Sequence, residues 1–175
     1  GEMGVAWEDP GPQPTMPPTI HGGNMDCRHT GKGCTAYFPV KVPGALFSTG
    51  DGHLAQGDGE VAGIAIEAPL DVTMRFTLIQ GLEIPAARFE TSGPTTSKVD
   101  GLGHYVTCGT GPDLHTSVED AVRLMIDTLE RERGFDRADA YIICSVAGDL
   151  KISVPVLGDG HASQVTFHMP KSIFT

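Results

Sequence analysis

The sequence predicts an α+β fold built mainly on antiparallel β-sheet. The chain has 175 residues, of which 23 are glycine and 13 are proline, so helix cannot dominate. Short apolar segments alternate with glycine-rich turns up to residue 112, as expected for a series of strands. Two segments of helical character and two further strands follow, and this order of elements is typical of an α+β fold.

Residues 1–20 are predicted to be a proline-rich arm or linker. Five of the thirteen prolines lie between Pro10 and Pro18, and the segment shows neither a helical nor a strand period. Proline fixes φ and has no N–H group to donate to a β-ladder. We therefore expect the arm to be extended and to lie over another surface.

Residues 21–112 form the predicted β-rich domain, which also carries the candidate site. Apolar and polar residues alternate from Leu70 to Leu78, which predicts a strand with one buried face and one solvated face. Further strands are predicted where β-branched, aromatic or continuous apolar residues occur. These segments are residues 35–47, 59–68, 86–91 and 103–109.

Residues 113–175 form the predicted α+β C-terminal portion, packed on the β-rich domain. A first helix is predicted to end at Gly134, with Thr116 and Glu119 as a capping box. Its apolar residues at helical spacing are Val118, Ala121, Val122, Met125 and Leu129. A second helix, capped by Asp136, is predicted over residues 136–149, although residues 141–143 could equally form a strand. Strands at 150–157 and 165–169 close the chain, with a hairpin turn predicted at 158–161.

The charge balance bears on the class of partner and on the location of the protein. Acidic residues number 22 and basic residues 12, which gives a formal charge of −10. Such a surface repels phosphate backbones and anionic lipids, so we expect neither nucleic acid nor a membrane as a partner. The sequence contains no apolar run of spanning length and only four cysteines, so we expect a cytoplasmic protein with reduced thiols.

The segment STGDGHLAQGDGE, residues 48–60, contains several side chains that could bind a metal ion or transfer a proton. Asp51 and His53 are two residues apart, as are Asp58 and Glu60, so each pair shares a face if the backbone is extended. Asp51 and His53 suit a divalent cation, and Glu60 or Asp58 could take a proton from a water molecule. The alternative is that GDGH and GDGE are simply hairpin turns, because Asp-Gly pairs are frequent turn formers.

A second polar segment, HGGNMDCRH, covers residues 21–29. Asn24 and Asp26 share a strand face there, and we predict Asp26 as a third metal ligand. The amides of Asn24 and Gln56 can donate hydrogen bonds to a substrate carbonyl or an oxyanion. Sequence motifs of serine hydrolases, P-loop proteins, HExxH metalloproteases and dinucleotide-binding proteins are absent. A nucleophilic Cys27 or Cys108 stays open as an alternative.

Several stretches of the sequence resemble the acetamidase/formamidase family of amide hydrolases. They are GGNMD at residues 22–26, PVKVPGALFSTGDGHLAQGDGEVAGIAIE at 39–67, DVTMRF at 71–76, RFET at 88–91 and PKSIF at 170–174. Because family members are longer, the chain resembles their C-terminal half. The resemblance implies a β-sandwich-like domain with an α+β C-terminal portion, in an oligomer that hydrolyses small aliphatic amides. It also implies a metal ion, but it does not identify the ligands.

The resemblance implies an amidohydrolase acting on formamide or acetamide, and the candidate residues predict that a metal ion assists it. Glu60 and Asp58 are the predicted catalytic residues, and zinc or calcium is the predicted ion. An N-terminal-half polypeptide or subunit is the expected partner, in a homo- or hetero-oligomer. Two alternatives stay open. The chain could be a non-catalytic structural subunit that completes a partner chain, or a β-sandwich module that binds calcium or a small ligand through Asp51, Asp58 and Glu60.

Overall fold

The computed structural model describes residues 1–93, 95, 98–155 and 163–175, and it confirms the α+β class with antiparallel sheets. Its strands are β1 (Glu2–Gly4), β2 (Gly22–Asn24), β3 (Thr35–Tyr37), β4 (Ser48–Gly50), β5 (His53–Ala55), β6 (Ile66–Glu67), β7 (Arg88–Glu90), β8 (His104–Gly111), β9 (Asp149–Val154) and β10 (Ser163–Pro170). The helices are α1 (Leu114–Arg133) and α2 (Arg137–Ala147), with 3₁₀ turns at Lys98–Leu102 and Lys171–Phe174. None of the helices in the described ranges is long and apolar enough to span a membrane.

The chain divides into two compact units. Unit 1 consists of Gly1–Leu54 and Glu67–Thr95, and unit 2 consists of Ala55–Ile66 and Thr96–Thr175. Residues 2–4 of the predicted arm form the central strand of a sheet, while residues 5–18 form neither strand nor helix. Most of the helical structure and the long strands belong to unit 2.

Unit 1 contains short antiparallel ladders. Strand β1 lies between β2 and β4, so that Glu2 is opposite both Asn24 and Gly50. A separate pair joins β3 to β7. Gly22 has a φ of +96°, and a Cβ atom there would lie 2.4 Å from the carbonyl oxygen of Met3. The close approach of β1 to β2 therefore requires glycine at this position.

The prediction of a strand at residues 70–78 is wrong. The structure assigns no strand or helix between residues 68 and 87, all of which are described. Four of the five alternating apolar side chains are exposed, with Phe76 68% and Leu78 70% accessible, and Met74 is half-buried. A strand needs a neighbour to complete its ladder of hydrogen bonds, and an alternating pattern does not supply one.

Unit 2 contains the three-stranded antiparallel sheet β8-β10-β9, with β10 in the centre. Alternate residues of β10 are fully buried and pack with the apolar face of α1 and with α2. The core residues are Ala121, Val122, Met125, Ile126, Leu129, Ala140, Cys144, Val165, Phe167 and Met169. The strand predicted at residues 165–169 is confirmed as part of β10. The turn predicted at 158–161 lies outside the described residues, as do residues 156–157 of the strand predicted before it.

The two helices follow the sequence signals closely, with one correction. The N-cap of α1 is Asp113, whose side chain accepts a 2.8 Å hydrogen bond from the Thr116 backbone N–H, so Thr116 is not the cap. Gly134 ends α1 in the left-handed conformation, as predicted. Asp136 caps α2, and residues 141–143 are helical, which excludes the strand alternative.

Burial makes Cys144 chemically inert in the folded chain. Its side chain is completely inaccessible, and desolvation raises the pKa of the thiol to about 12. Because the thiolate is the reactive form, we expect iodoacetamide to modify the exposed Cys108 at pH 8 and to leave Cys144 unmodified until denaturant is added. Peptide mass mapping measures both sites in one sample. Equal labelling rates at the two cysteines in native buffer would contradict the burial of Cys144.

Candidate functional site

A tight connection between β4 and β5 brings Asp51 and His53 together in unit 1. Strand β4 ends at Gly50 and β5 begins at His53, which leaves only Asp51 and Gly52 between them. Asp51 has a φ of +52°, and the carbonyl of Gly52 accepts a 2.7 Å hydrogen bond from the backbone N–H of Ala68. The turn is therefore fixed to the chain that follows β6.

Three carboxylates of unit 1 surround Nε2 of His53. The distances from Nε2 are 3.2 Å to Oε2 of Glu67, 3.3 Å to Oδ2 of Asp51 and 3.9 Å to Oδ1 of Asp26. Only 8% of the His53 side chain is exposed, whereas half of the Glu67 side chain is accessible. The imidazole is thus buried behind a rim of acidic groups that solvent and small solutes can reach.

Asn24 holds Asp26 in this cluster. Its side-chain Nδ2 donates a 2.6 Å hydrogen bond to Oδ2 of Asp26, while Oδ1 of the same carboxylate is the atom nearest His53. Asp26 lies two residues after the end of β2 and has a φ of +42°. The structure therefore brings together four predicted site residues, Asn24, Asp26, Asp51 and His53.

Glu67 belongs to the same cluster and was not predicted from the sequence. It is the last residue of β6, and β6 pairs with β5, the strand that His53 begins. A signal was present, because Glu67 is the one acidic residue in the apolar run VAGIAIEA. A single charged residue within an apolar run is a candidate for a specific role. The spacing of residues along the chain could not identify that partner as His53.

The donor atoms fit a divalent cation. Zinc lies about 2.0–2.2 Å from imidazole nitrogen and carboxylate oxygen, so the ligand atoms of a tetrahedral site are about 3.3–3.6 Å apart. The distances from His53 Nε2 to Asp51 and Glu67, 3.3 Å and 3.2 Å, are close to that range. The ligand atoms of these three residues all lie within 4.8 Å of one another. The same arrangement also suits a protonated imidazole among carboxylates, and removal of metal distinguishes the two states.

Strained backbone is concentrated at the predicted site residues. In the described part of the chain, five residues other than glycine have positive φ: Asp26, Ala45, Leu46, Asp51 and Glu60. Three of these five were predicted as ligands or catalytic groups. Such conformations cost on the order of 1–3 kcal/mol each and are typical of residues held for function.

The other three predicted residues, Gln56, Asp58 and Glu60, lie in unit 2. Gln56 is buried. The backbone N–H of Asp58 donates to Oδ1 of Asp149, and its carbonyl accepts from the N–H of Leu150. Glu60 lies between two turns. Its backbone N–H donates to the carbonyl of Gly57, and its own carbonyl accepts from the N–H of Gly63. The turn that the GDGE motif predicted is therefore present, and Glu60 is part of it.

Helix α2 fixes this loop through Ser145. Its Oγ accepts a 3.1 Å hydrogen bond from the N–H of Ala62 and donates a 2.7 Å bond to the carbonyl of Ile64. Its carbonyl accepts from the N–H of Gly57, where a Cβ atom would lie 1.9 Å from the Gly148 carbonyl oxygen. Ser145 therefore has a structural role, and the loop that carries Asp58 and Glu60 is held by hydrogen bonds at several points.

Several other histidines have simple structural roles. His21 stacks on Trp7 and its Nε2 lies 3.1 Å from Oε2 of Glu8. His104 contacts Asp100 at 3.1 Å.

The fold and the cluster define an α+β protein with imidazole and carboxylate groups suited to hydrolytic chemistry. The acetamidase/formamidase family model matches residues 9–175, and the chain therefore belongs to that family. It is 40% identical over 86 residues to an acetamidase of Mycolicibacterium smegmatis, a match covering 49% of this chain and 20% of that protein. It is 51% identical over 47 residues to a formamidase of Methylophilus methylotrophus, covering 27% and 12%.

A solved structure gives the same result for the fold. The γ-lactamase from Delftia acidovorans superposes with a TM-score of 0.75 at 29% sequence identity. The superposition covers 91% of this chain and 41% of the γ-lactamase chain. The match thus spans less than half the length of each of these three relatives.

Proposed function

We propose that this chain takes part in the hydrolysis of small linear amides, such as formamide and acetamide, to carboxylate and ammonia. Membership of the acetamidase/formamidase family carries the proposal, because the match extends over almost the whole chain. The cluster around His53 gives the proposal a chemical basis, since amide hydrolysis needs an activated water and a polarised carbonyl.

We propose that His53, Asp51 and Glu67 hold a divalent cation, zinc or calcium, with Asp26 as a further ligand. Their contacts of 3.2–3.9 Å with His53 Nε2 support this assignment. A divalent cation bound there would supply Lewis acidity, which polarises a carbonyl and lowers the pKa of a water molecule. Asn24 would act by holding Asp26, with which it already shares a hydrogen bond.

The proton transfers are proposed for the carboxylates of the loop in unit 2. Glu60 would take a proton from the attacking water and later deliver it to the leaving nitrogen, which departs as ammonia. Asp58 is the second carboxylate proposed for this role. A primary amide has two N–H groups, so Asn24 can hold Asp26 with one and donate to the substrate carbonyl with the other. Gln56 is proposed as a second such donor.

The test is ammonia release from formamide and acetamide by the purified chain, before and after extensive chelation. We expect chelation to reduce turnover at least about tenfold and a single added metal to restore it. Elemental analysis of the same samples gives the metal content. Turnover that persists in a metal-free sample would contradict the metal assignment. A metal-loaded sample without turnover would show that the proposed metal site of this chain is not sufficient for the reaction.

A further inference from the structure

Two hydroxyl groups of α2 bond to residues 57–64 of unit 2, which we name the Glu60 loop. Tyr141 and Ser145 are four residues apart on α2, so their side chains lie one turn apart on the same side of the helix. The Tyr141 hydroxyl donates a 2.5 Å hydrogen bond to the carbonyl of Val61. Because the Ser145 hydroxyl bonds to the same loop, one face of α2 holds this loop through two side chains.

Ser145 holds the loop on both sides of Glu60. Its carbonyl accepts a 2.9 Å hydrogen bond from the N–H of Gly57, three residues before Glu60. Its Oγ accepts from the N–H of Ala62 and donates to the carbonyl of Ile64, both of which follow Glu60. Between these anchors, the N–H of Glu60 donates to the carbonyl of Gly57. The position of the Glu60 backbone therefore depends on one residue of α2.

Packing alone does not account for a serine at position 145. The residue is fully buried in the last turn of α2, directly after the core residue Cys144. Alanine has a higher helix propensity, and a buried hydroxyl is costly unless it is hydrogen-bonded. Ser145 accepts one bond and donates another, and both partners belong to the Glu60 loop. The hydroxyl therefore links the helix to the loop.

The start of β9 holds the same loop at Asp58. The buried carboxylate of Asp149 accepts a 3.0 Å hydrogen bond from the N–H of Asp58, whose carbonyl accepts a 2.9 Å bond from the N–H of Leu150. The next residue, Gly59, lies so close to Leu150 that a Cβ atom there would be 2.6 Å from Cδ1 of the leucine. The loop is therefore fixed by β9 before Glu60 and by α2 on both sides of it.

We infer that Ser145 and Tyr141 are positioning residues for the carboxylate of Glu60. The inference rests on the proposed function, in which Glu60 transfers the proton. A general base has to lie within hydrogen-bond distance of the water whose proton it takes, and a displacement of about 1 Å can lower the rate about 10²-fold. Attachment of the loop to α2 fixes the backbone of Glu60 before substrate binds, as a preorganised site requires.

Ser145→Ala removes the hydroxyl and keeps a good helix former. We expect kcat for formamide to fall about 10- to 100-fold while KM stays within about twofold of wild type, because the loop acts on proton transfer rather than on substrate binding. Hydrogen exchange of residues 57–64 is expected to become at least about tenfold faster. Tyr141→Phe removes only a hydroxyl, from a side chain that is 41% exposed, and we expect the same changes to a smaller degree.

Ser117→Ala is the matched control. Ser117 is also a fully buried helical serine of unit 2, and its Oγ bonds to the carbonyl of Asp113 and to Oγ of Ser163, which lie outside the Glu60 loop. We expect this variant to lower stability about as much as Ser145→Ala, and to change kcat and the exchange of residues 57–64 less than about twofold. Equal losses of kcat in the two variants would overturn the inference.

A double variant tests whether Ser145 acts through Glu60. We expect Ser145→Ala to lower kcat less than about twofold further when it is added to Glu60→Gln, because the group that it positions is already lost. Losses that multiply, or wild-type exchange of residues 57–64 in Ser145→Ala, would overturn the inference. Wild-type turnover in Glu60→Gln would instead contradict the proposed role of Glu60. In that case, or in a chain without turnover, the exchange rates alone decide whether the two hydroxyls hold the loop.

Discussion

Replacing His53 with alanine is expected to abolish binding of the proposed divalent cation and to lower ammonia release from formamide by at least about 100-fold. His53 is the proposed nitrogen ligand, and three carboxylates lie within 3.9 Å of its Nε2. Without the imidazole, Asp26, Asp51 and Glu67 face one another across the space it leaves. The site then lacks its nitrogen ligand, which lowers its affinity for zinc.

The control for this variant is His115→Ala. His115 is also a histidine near a carboxylate, with Nε2 3.6 Å from Oε1 of Glu119, but its side chain is 86% exposed. We expect no change in metal content or turnover in the control. Glu67→Gln is a graded test, because the amide oxygen remains a weak ligand while the charge is lost. A His53→Ala variant that keeps both its metal and its turnover would show that the site lies elsewhere.

The elements that were predicted correctly depend on short-range signals. The spacing of apolar residues and the cap at Asp136 define α1 and α2 within a few turns of chain. The cap of α1 was predicted three residues too late, because Thr116 and Asp113 are both good capping residues and the spacing to Glu119 favoured Thr116. The prediction of a strand at residues 70–78 was wrong because a strand depends on a distant partner, which no local pattern supplies.

The candidate site shows the same division. Asp51 and His53 were predictable because two residues on one short extended piece share a face. Asp26 was predictable as a residue type but not as a neighbour of His53, since their contact joins β2 and β5 over a long stretch of chain. Glu67 was missed because only the pairing of β5 with β6 brings it to the imidazole. Long-range pairing therefore completes a cluster that local spacing began.

Replacing Glu60 with glutamine is expected to lower kcat for formamide by about 10²–10⁴, the usual contribution of a general acid–base residue. Glutamine keeps the size and hydrogen-bonding shape of the side chain but cannot accept the proton. Metal content is expected to stay at the wild-type level, because the four proposed ligands are unchanged. A loss confined to kcat, with the metal retained, separates this variant from His53→Ala.

Asp58→Asn determines which of the two neighbouring carboxylates takes the proton. The backbone of Asp58 is fixed by Asp149 and Leu150, whereas Glu60 has a φ of +41° in a turn bounded by Gly57 and Gly63. Backbone strain of this kind is typical of residues held for function, and of the two carboxylates only Glu60 shows it. We therefore expect the larger loss from Glu60→Gln. If Asp58→Asn alone abolishes turnover while Glu60→Gln remains within about twofold of wild type, the role belongs to Asp58.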